Sequence, residues 1–297
     1  MILVTGGTGF IGSALVRNLV NQGFDIRLLI RPSKRSPRIP RSIPVQVAVS
    51  SLKDEKGLKA ALKDVEVIYH LAGSESQGVN ADLEGVDIKG TQALLEAAQS
   101  QKVKRFFFLS YLGAERSSAY PVLKAKGIME GIIRKGKLPY TIFRTTIVYG
   151  PGDQFTTALA KMIRNFPVLV PMAGNGRVLV QPIWVEDLVT CMVMSLYNDA
   201  PGSHQIDLGG GEYLTYKQVV QQICKKMKSH KIMTPFSPPF LRSLSINLQQ
   251  ILHFSLIPVF LLDYLATEHI CALDRMPLQF GLIPARFNQT IDYLIRK

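Results

Sequence analysis

The stretch SAYPVLKAKGIME (118–130) places Tyr120 four residues before Lys124, with a second lysine, Lys126, two places further on. A tyrosine one helical turn from a lysine can pass a proton to a substrate oxygen, because the ammonium favours the phenolate and lowers the phenol's pKa. Only one of the two lysines can face a given ligand. Read as a helix over 121–136, with Pro121 in the first turn where proline is tolerated, the segment advances about 100° per residue. Val122, Ala125, Met129, Ile132 and Ile133 then share one stripe, which must face the core. Lys126 lies at its edge, about 40° from Val122, and Lys124 about 200° away toward solvent. Lys126 is therefore the lysine expected to reach a ligand. The residue four before it is Val122, which has no proton to give. Tyr120, six before it, stands at or ahead of the helix start and is not stacked over it. The Tyr120–Lys124 spacing reads as coincidence, and Tyr120 stays a candidate acid that must be shown to reach the site. Tyr111 and Tyr149 are alternative acids; His70 reads as structural, and Glu186 and Asp187 as the first turn of a helix.

A second constellation stands at the N-terminus. VTGGTGFIG (4–12) sits between a β-rich run and an amphipathic helix, with Gly6, Gly9 and Gly12 spaced Gly-x-x-Gly-x-x-Gly. Gly6 permits a tight turn, Gly9 lets the backbone approach a pyrophosphate, and Gly12 lets the helix pack closely. The helix N-terminus adds amides and a positive dipole, so Thr8, Phe10 and Ile11 complete a candidate phosphate cradle. An acid at the end of the next strand would bind a ribose 2′-hydroxyl. Here stand Arg31, Ser33, Lys34 and Arg35, a cluster that suits a 2′-phosphate and favours NADP(H) over NAD(H).

These residues need a scaffold. Strands are expected at 2–5, 24–30, 44–49, 66–72, 103–110 and 138–144, with a long helix at 83–99 and a Pro- and Arg-rich loop at 31–42. Strands separated by helical crossovers imply a parallel sheet with helices on both faces. After residue 150 the pattern loosens: 181–196 reads as an extended piece entering a helix, 204–227 as strand, turn and helix, and 235–240 as a break before apolar C-terminal helices. The expected architecture is α/β, a doubly wound parallel Rossmann sheet with a smaller C-terminal α/β lobe. Residues 1–150 form the cofactor-binding core, and 151–297 complete it and build the substrate or partner lobe.

Composition bounds the partners. Apolar residues are 47% and charged residues 19% of 297, enough for a sizeable core. A net charge of +13 points to an anionic partner: a phosphate-bearing cofactor or an acidic membrane surface. No arginine-rich tail or aromatic–basic repeat supports nucleic acid. Cys191, Cys224 and Cys271 are scattered, which argues against a disulfide framework or a metal site and suits a cytoplasmic or organellar-matrix-like reducing compartment. The chain opens on a strand, MILVTGG, so no cleavable signal is expected ahead of the fold. The segment 243–262 has no Asp, Glu, Lys or Arg and is long enough to cross a bilayer. Asn247, Gln249, Gln250, His253 and Pro258 interrupt it, so an amphipathic surface helix or a buried helix is expected instead.

Taken in order, TGGTGFIG, HLAG (70–73), DIKGTQALLEAA (87–98), FFFLS ending at Ser110, TIFRTTIVYGPGD (141–153), QPIWVEDL (181–188) and LGGGEYLTY (208–216) resemble the extended and atypical short-chain dehydrogenase/reductase superfamily, the NAD-dependent epimerase/dehydratase-like proteins included. The later pieces resemble the subgroup containing the nucleotide-binding accessory subunit of respiratory complex I. The resemblance implies that Leu71, Ala72 and Gly73 pass the adenine–ribose side of the cofactor, that Ser110 faces the nicotinamide, and that Thr146 and Ile147 run beside its carboxamide. In active members a tyrosine exchanges the substrate proton and a lysine four residues later binds the nicotinamide ribose. Counting back from LPYTIFR, Lys126 takes that lysine position and Glu130 the acidic position after it. Ser51 stands where an acid usually holds the adenine amino group. Two readings follow: a cofactor-binding protein with weak or no turnover, structural or in assembly at a membrane complex, or an active NADPH-dependent reductase or epimerase-like oxidoreductase on a small molecule. No pattern names a substrate or an oligomeric state.

Overall fold

The computed structural model describes residues 1–33, 43–197, 203–252 and 257–295. In chain order its first half runs β1 (Ile2–Thr5), α1 (Phe10–Asn21), β2 (Ile26–Ile30), β3 (Gln46–Val49), α2 (Glu55–Ala61), β4 (Val67–His70), α3 (Lys89–Gln99), β5 (Arg105–Tyr111), α4 (Pro121–Lys135) and β6 (Tyr140–Thr145). The second half runs β7 (Val148–Tyr149), α5 (Thr156–Asn165), β8 (Leu169–Ala173), β9 (Leu179–Val180), β10 (Ile183–Trp184), α6 (Val185–Tyr197), β11 (His204–Leu208), β12 (Leu214–Thr215) and α7 (Tyr216–Lys226). It closes with β13 (Ile232–Phe236), α8 (Pro238–Leu252), α9 (Val259–Tyr264), α10 (Arg275–Phe280) and α11 (Phe287–Thr290).

The chain divides into two compact units: 1–74 with 82–144 and 189–207, and 75–81 with 145–188 and 208–297. The first unit holds a seven-stranded sheet in the order β11-β6-β5-β4-β1-β2-β3, with β3–β2, β2–β1, β1–β4 and β4–β5 all parallel. The expected doubly wound α/β sheet is therefore present. Its central strands β1 and β4 and the middle of β5 are apolar runs because helices cover both faces: β1 is buried at every residue, and Phe106, Phe107 and Phe108 of β5 are buried together. Tyr69 stacks on Phe107 at 4.4 Å between ring centroids, and its hydroxyl donates to the Met192 carbonyl of α6 at 2.8 Å. The strand order reverses at β1, which lies between β4 and β2. The carboxyl ends of β1 and β4 therefore flank a topological switch point, where open α/β sheets bind ligands.

In the second unit α5 and α7 pack together, β8 pairs in parallel with β13, and two short ribbons pair β7 with β10 and β9 with β12. A capping box starts α7, with Thr215 and Gln218 satisfying each other's backbone amides. Buried Asp153, from the GPGD turn, accepts from the Gly150 and Thr157 amides and the Thr156 hydroxyl, which fixes the start of α5. Burial raises its pKa against these bonds.

Three expectations need correction. The segment 235–240 is no break: it ends β13 and starts α8, whose first turn accepts Pro238 and Pro239 because those amides lack helical partners. The helix expected over 83–99 begins as one wider π-helical turn, Leu83–Ile88, before α3. Of the apolar 243–262 segment, 253–256 lie outside the described residues; its earlier part falls in α8 and its end in α9, with Pro258 capping the latter. Among the described residues no helix is long and apolar enough to cross a membrane.

Candidate functional site

At the switch point the glycines are required by contact. Gly6 adopts φ +72°, and a Cβ there would lie 2.7 Å from the Ala72 nitrogen and the Leu71 carbonyl carbon. A Cβ on Gly12 would lie 2.1 Å from the Gly6 carbonyl oxygen. Gly12 thus lets the helix pack on the loop itself, not only on the strand. Gly9 is the N-cap of α1 and offers no side chain to the first-turn amides, and the first turn carries no acid. Thr8 is exposed and Phe10 and Ile11 are half-buried around this end. The result is an open, uncapped helix N-terminus beside a glycine loop whose one side chain, Thr8, is exposed, which suits a pyrophosphate.

The loop after β4, with Leu71, Ala72 and Gly73 half-buried, is held from below by a buried relay. The Ala72 amide donates to Thr5 Oγ1 at 3.2 Å, Thr5 Oγ1 lies 2.7 Å from His70 Nδ1, and His70 Nε2 lies 2.9 Å from Thr91 Oγ1. Thr91 donates onward to the Asp87 carbonyl at 2.6 Å. One direction satisfies every group: Thr5 donates to Nδ1, and a neutral His70 donates from Nε2 to Thr91. Burial, aided by the nearby Lys126 charge, lowers the His70 pKa to about 3, in keeping with that tautomer. The buried Asp87 carboxylate accepts from the Ser74 amide at 2.9 Å and hydroxyl at 3.0 Å, closing the loop's far end. His70 is buried with both ring nitrogens bonded, the placement that a structural histidine would have.

Beyond the end of β5 the second cluster forms. Lys126 is 3% exposed; its Nζ donates to the Leu109 carbonyl at 3.2 Å and lies 5.2 and 5.7 Å from the Phe108 and Tyr111 ring centres. Lys124 is exposed. The inward face of α4 is wider than the stripe read from sequence: Leu123, Gly127 and Glu130 are buried, whereas Val122 and Ile132 are half-buried. The cause is a second covering element. A Cβ on Gly127 would meet the Glu115 carbonyl carbon at 2.3 Å, so the loop before the helix packs against that flank. Tyr120 is the N-cap, in extended conformation, and precedes the helix.

Glu130 is fully buried and organises this end. Ser110 Oγ donates to its Oε1 at 2.6 Å, Arg144 pairs with both oxygens at 2.6–3.2 Å, and Arg134 adds a bond of 2.8 Å. Arg144 also donates to the Ala114 carbonyl, tying the 112–118 loop to the cluster. Sequence reading placed Glu130 in register but missed Arg144, Thr5, Thr91 and Asp87. The signal was present in part: an arginine inside the β-run TIFRT needs a buried acid, and Glu130 was the acid on the facing helix.

The remaining candidates lie elsewhere. Arg31 and Ser33 follow β2 and are exposed; Lys34 and Arg35 fall outside the described residues. Ser51, half-buried after β3, accepts the Lys53 amide at 3.2 Å, which leaves its hydroxyl proton able to donate. Thr146 and Ile147 belong to the second unit, where Thr146 uses its amide on the Leu208 carbonyl and its hydroxyl on the Gln181 carbonyl. Tyr149, offered as an alternative acid, is buried there with its hydroxyl 2.6 Å from Thr290, and burial raises its pKa.

A family model described as NAD(P)H-binding matches residues 6–160, more than half of the chain. The chain belongs to this NAD(P)H-binding family. A second model, the NAD dependent epimerase/dehydratase family, matches residues 112–209. The resemblance drawn from the motifs therefore holds. The chain is similar to ceramide reductase of Caulobacter vibrioides (32% identical, covering 65% of this chain and 60% of that protein). It is similar to photosystem II assembly factor Ycf39 of Cyanophora paradoxa (31%, 48% and 44%). A third relative is NADH dehydrogenase (ubiquinone) 1 alpha subcomplex subunit 9, mitochondrial, of Arabidopsis thaliana (27%, 73% and 56%). The chain thus spans 44–60% of the length of these family relatives. In structure it resembles UDP-glucose 4-epimerase of Thermotoga maritima, with a TM-score of 0.74 at 21% identity over 99% of this chain and 97% of that one. That likeness speaks to the fold alone.

Proposed function

We propose that this protein binds NADP(H), turns it over weakly or not at all, and acts as a structural or assembly component at a membrane complex. One observation carries the reading. Beside the inward lysine, Val122 stands where a proton-bearing tyrosine would be needed, and the Ser110 hydroxyl gives its proton to Glu130. Neither residue offers a substrate oxygen a proton, while the phosphate cradle is complete.

The residues present fit the cofactor. Gly6, Thr8, Gly9, Phe10, Ile11 and Gly12 would hold the pyrophosphate on amides and helix dipole. Arg31 and Lys34 would pair with a 2′-phosphate, which is the ground for NADP(H) over NAD(H). Ser51 would hydrogen-bond adenine, Leu71, Ala72 and Gly73 would line its ribose side, and Lys126 would hold the nicotinamide ribose. When bound, the nicotinamide supplies hydride chemistry; this chain's own contribution is to bind and orient it.

The membrane role draws on the relatives named for photosystem II assembly and for a subunit of NADH dehydrogenase, and on the net charge of +13. The similarity to a ceramide reductase favours a second reading, an active NADPH-dependent reductase that uses Tyr120 as a displaced acid. Calorimetric titration tests the cofactor preference. NADPH is expected to bind at least about tenfold more tightly than NADH, the worth of one charge-assisted contact. Tighter NADH binding would overturn it.

A further inference from the structure

One end of the second unit joins lysines to bare aliphatic side chains. Helices α5 and α7 pack together and both stop here, and the turn Ile291–Leu294 lies against them. Arg164 donates to the Leu294 carbonyl at 2.6 Å, and Lys226 pairs with Asp292. The strands that follow the two helices leave from the same end: the Ile232 amide bonds the Val168 carbonyl at 3.0 Å, and Lys231 Nζ ties the Phe166 and Pro167 carbonyls at 2.7 and 2.8 Å. Lys225 and Lys228 are exposed. With Lys226 they line a cavity of about 670 Å³, whose walls include Gln222, Ile291 and Ile295. Gln222 Oε1 is buried and has no hydrogen-bond partner among the described residues. Ile295 of this lining is 54% exposed, and at the start of the β8–β13 pair Val168 is 55% exposed, Leu169 47% and Ile232 62%.

We propose that this end is a docking surface for an anionic phospholipid bilayer. The proposal rests on the membrane-associated reading above and adds where the contact is made. Charge complementarity argues for it: the carboxylate at the cavity, Asp292, is paired with Lys226, which leaves Lys225 and Lys228 for lipid phosphates. Long lysine stems carry ammonium groups to the headgroups while aliphatic side chains enter the headgroup–acyl boundary. A protein partner fits this face less well. Protein interfaces concentrate Trp, Tyr and Arg at their centres and are depleted in Lys, whereas the exposed side chains at this end are Lys, Val, Leu and Ile. A helix-dipole role explains Lys225 and Lys226, in the last turn of α7, but neither Lys228, beyond the helix at φ +52°, nor the four bare aliphatics.

Sedimentation of the full chain with phosphatidylcholine vesicles, with and without phosphatidylserine, tests the proposal. The protein is expected to pellet with the anionic vesicles only, and more at low salt. The double variant Lys225→Glu/Lys228→Glu is expected to weaken binding at least roughly tenfold. The double variant Val168→Asp/Ile232→Asp is expected to lose the part that survives physiological salt. NADPH affinity, measured alongside, should not change. Lys225→Gln/Lys228→Gln serves as the milder pair if charge reversal disturbs folding. Absence of vesicle binding by the wild type overturns the proposal, as does equal binding by all variants. Loss of binding through Phe240→Asp/Ile251→Asp on α8 alone, or capture by an acidic protein with no affinity for vesicles, overturns it too. With NADPH binding intact these outcomes leave the cofactor reading standing, and a wild type that binds no NADPH is the separate failure of that reading.

Discussion

Lys126 and Lys124 are two residues apart in sequence and opposite in environment, so they make a controlled pair. Lys126→Ala is expected to weaken NADPH binding roughly tenfold or more, as removal of a charged hydrogen-bonding group does, with Lys124→Ala within about twofold of wild type. Fluorescence titration of NADPH checks both. Glu130 gathers two arginines and a serine in a fully buried position, so Glu130→Ala leaves uncompensated charge and is expected to cost about 3–5 kcal/mol in urea unfolding. Glu55→Ala, which removes an exposed pair with Lys59, is expected to cost nothing measurable. His70 gives a pH signature. Its pKa falls from 6.5 to about 3 on folding, so between those values the unfolded chain binds one more proton. Stability from this group is complete above about pH 6.5 and lost as the pH falls toward 3. Urea midpoints from pH 7 to 4 should show a one-proton dependence that His70→Gln lacks.

At the scale of elements, the sheet was legible because buried parallel strands read as apolar runs and glycine marks the turn between β1 and α1. The face of α4 was half legible. Helical periodicity put Lys126 inward, but a loop that packs beside Gly127 widened the buried face, and such a contact has no local signal. The same holds for α5 and the β8–β13 pair, whose partners lie far apart in sequence, and for the relay from Thr5 through His70 to Thr91. Proline misled at 235–240, where the sequence looks like a break and the structure uses the prolines to open α8. The loop between β1 and α1 supplies this scale's prediction. Gly12→Ala would set a methyl 2.1 Å from the Gly6 carbonyl, so loop and helix must part. The expected cost is about 1–3 kcal/mol of stability with a clear loss of NADPH affinity, read from urea unfolding and titration of one preparation.

For the whole molecule, an uncapped helix N-terminus behind Gly6, Gly9 and Gly12 stands beside an inward Lys126 that has Val122, with no proton to give, four residues before it. On the proposed reading, such a scaffold keeps the cofactor's contribution to stability and forgoes its chemistry. NADPH should accordingly raise the unfolding midpoint, and go on raising it with the logarithm of its free concentration above the dissociation constant, as a ligand specific to the folded state does. The most direct test is the absorbance of NADPH held by the purified protein against a panel of aldehydes, ketones and quinones. The account predicts bound NADPH, oxidation no faster than in free solution, and the same trace for Tyr120→Phe. Oxidation by the wild type that Tyr120→Phe abolishes would contradict it and make the protein an active reductase.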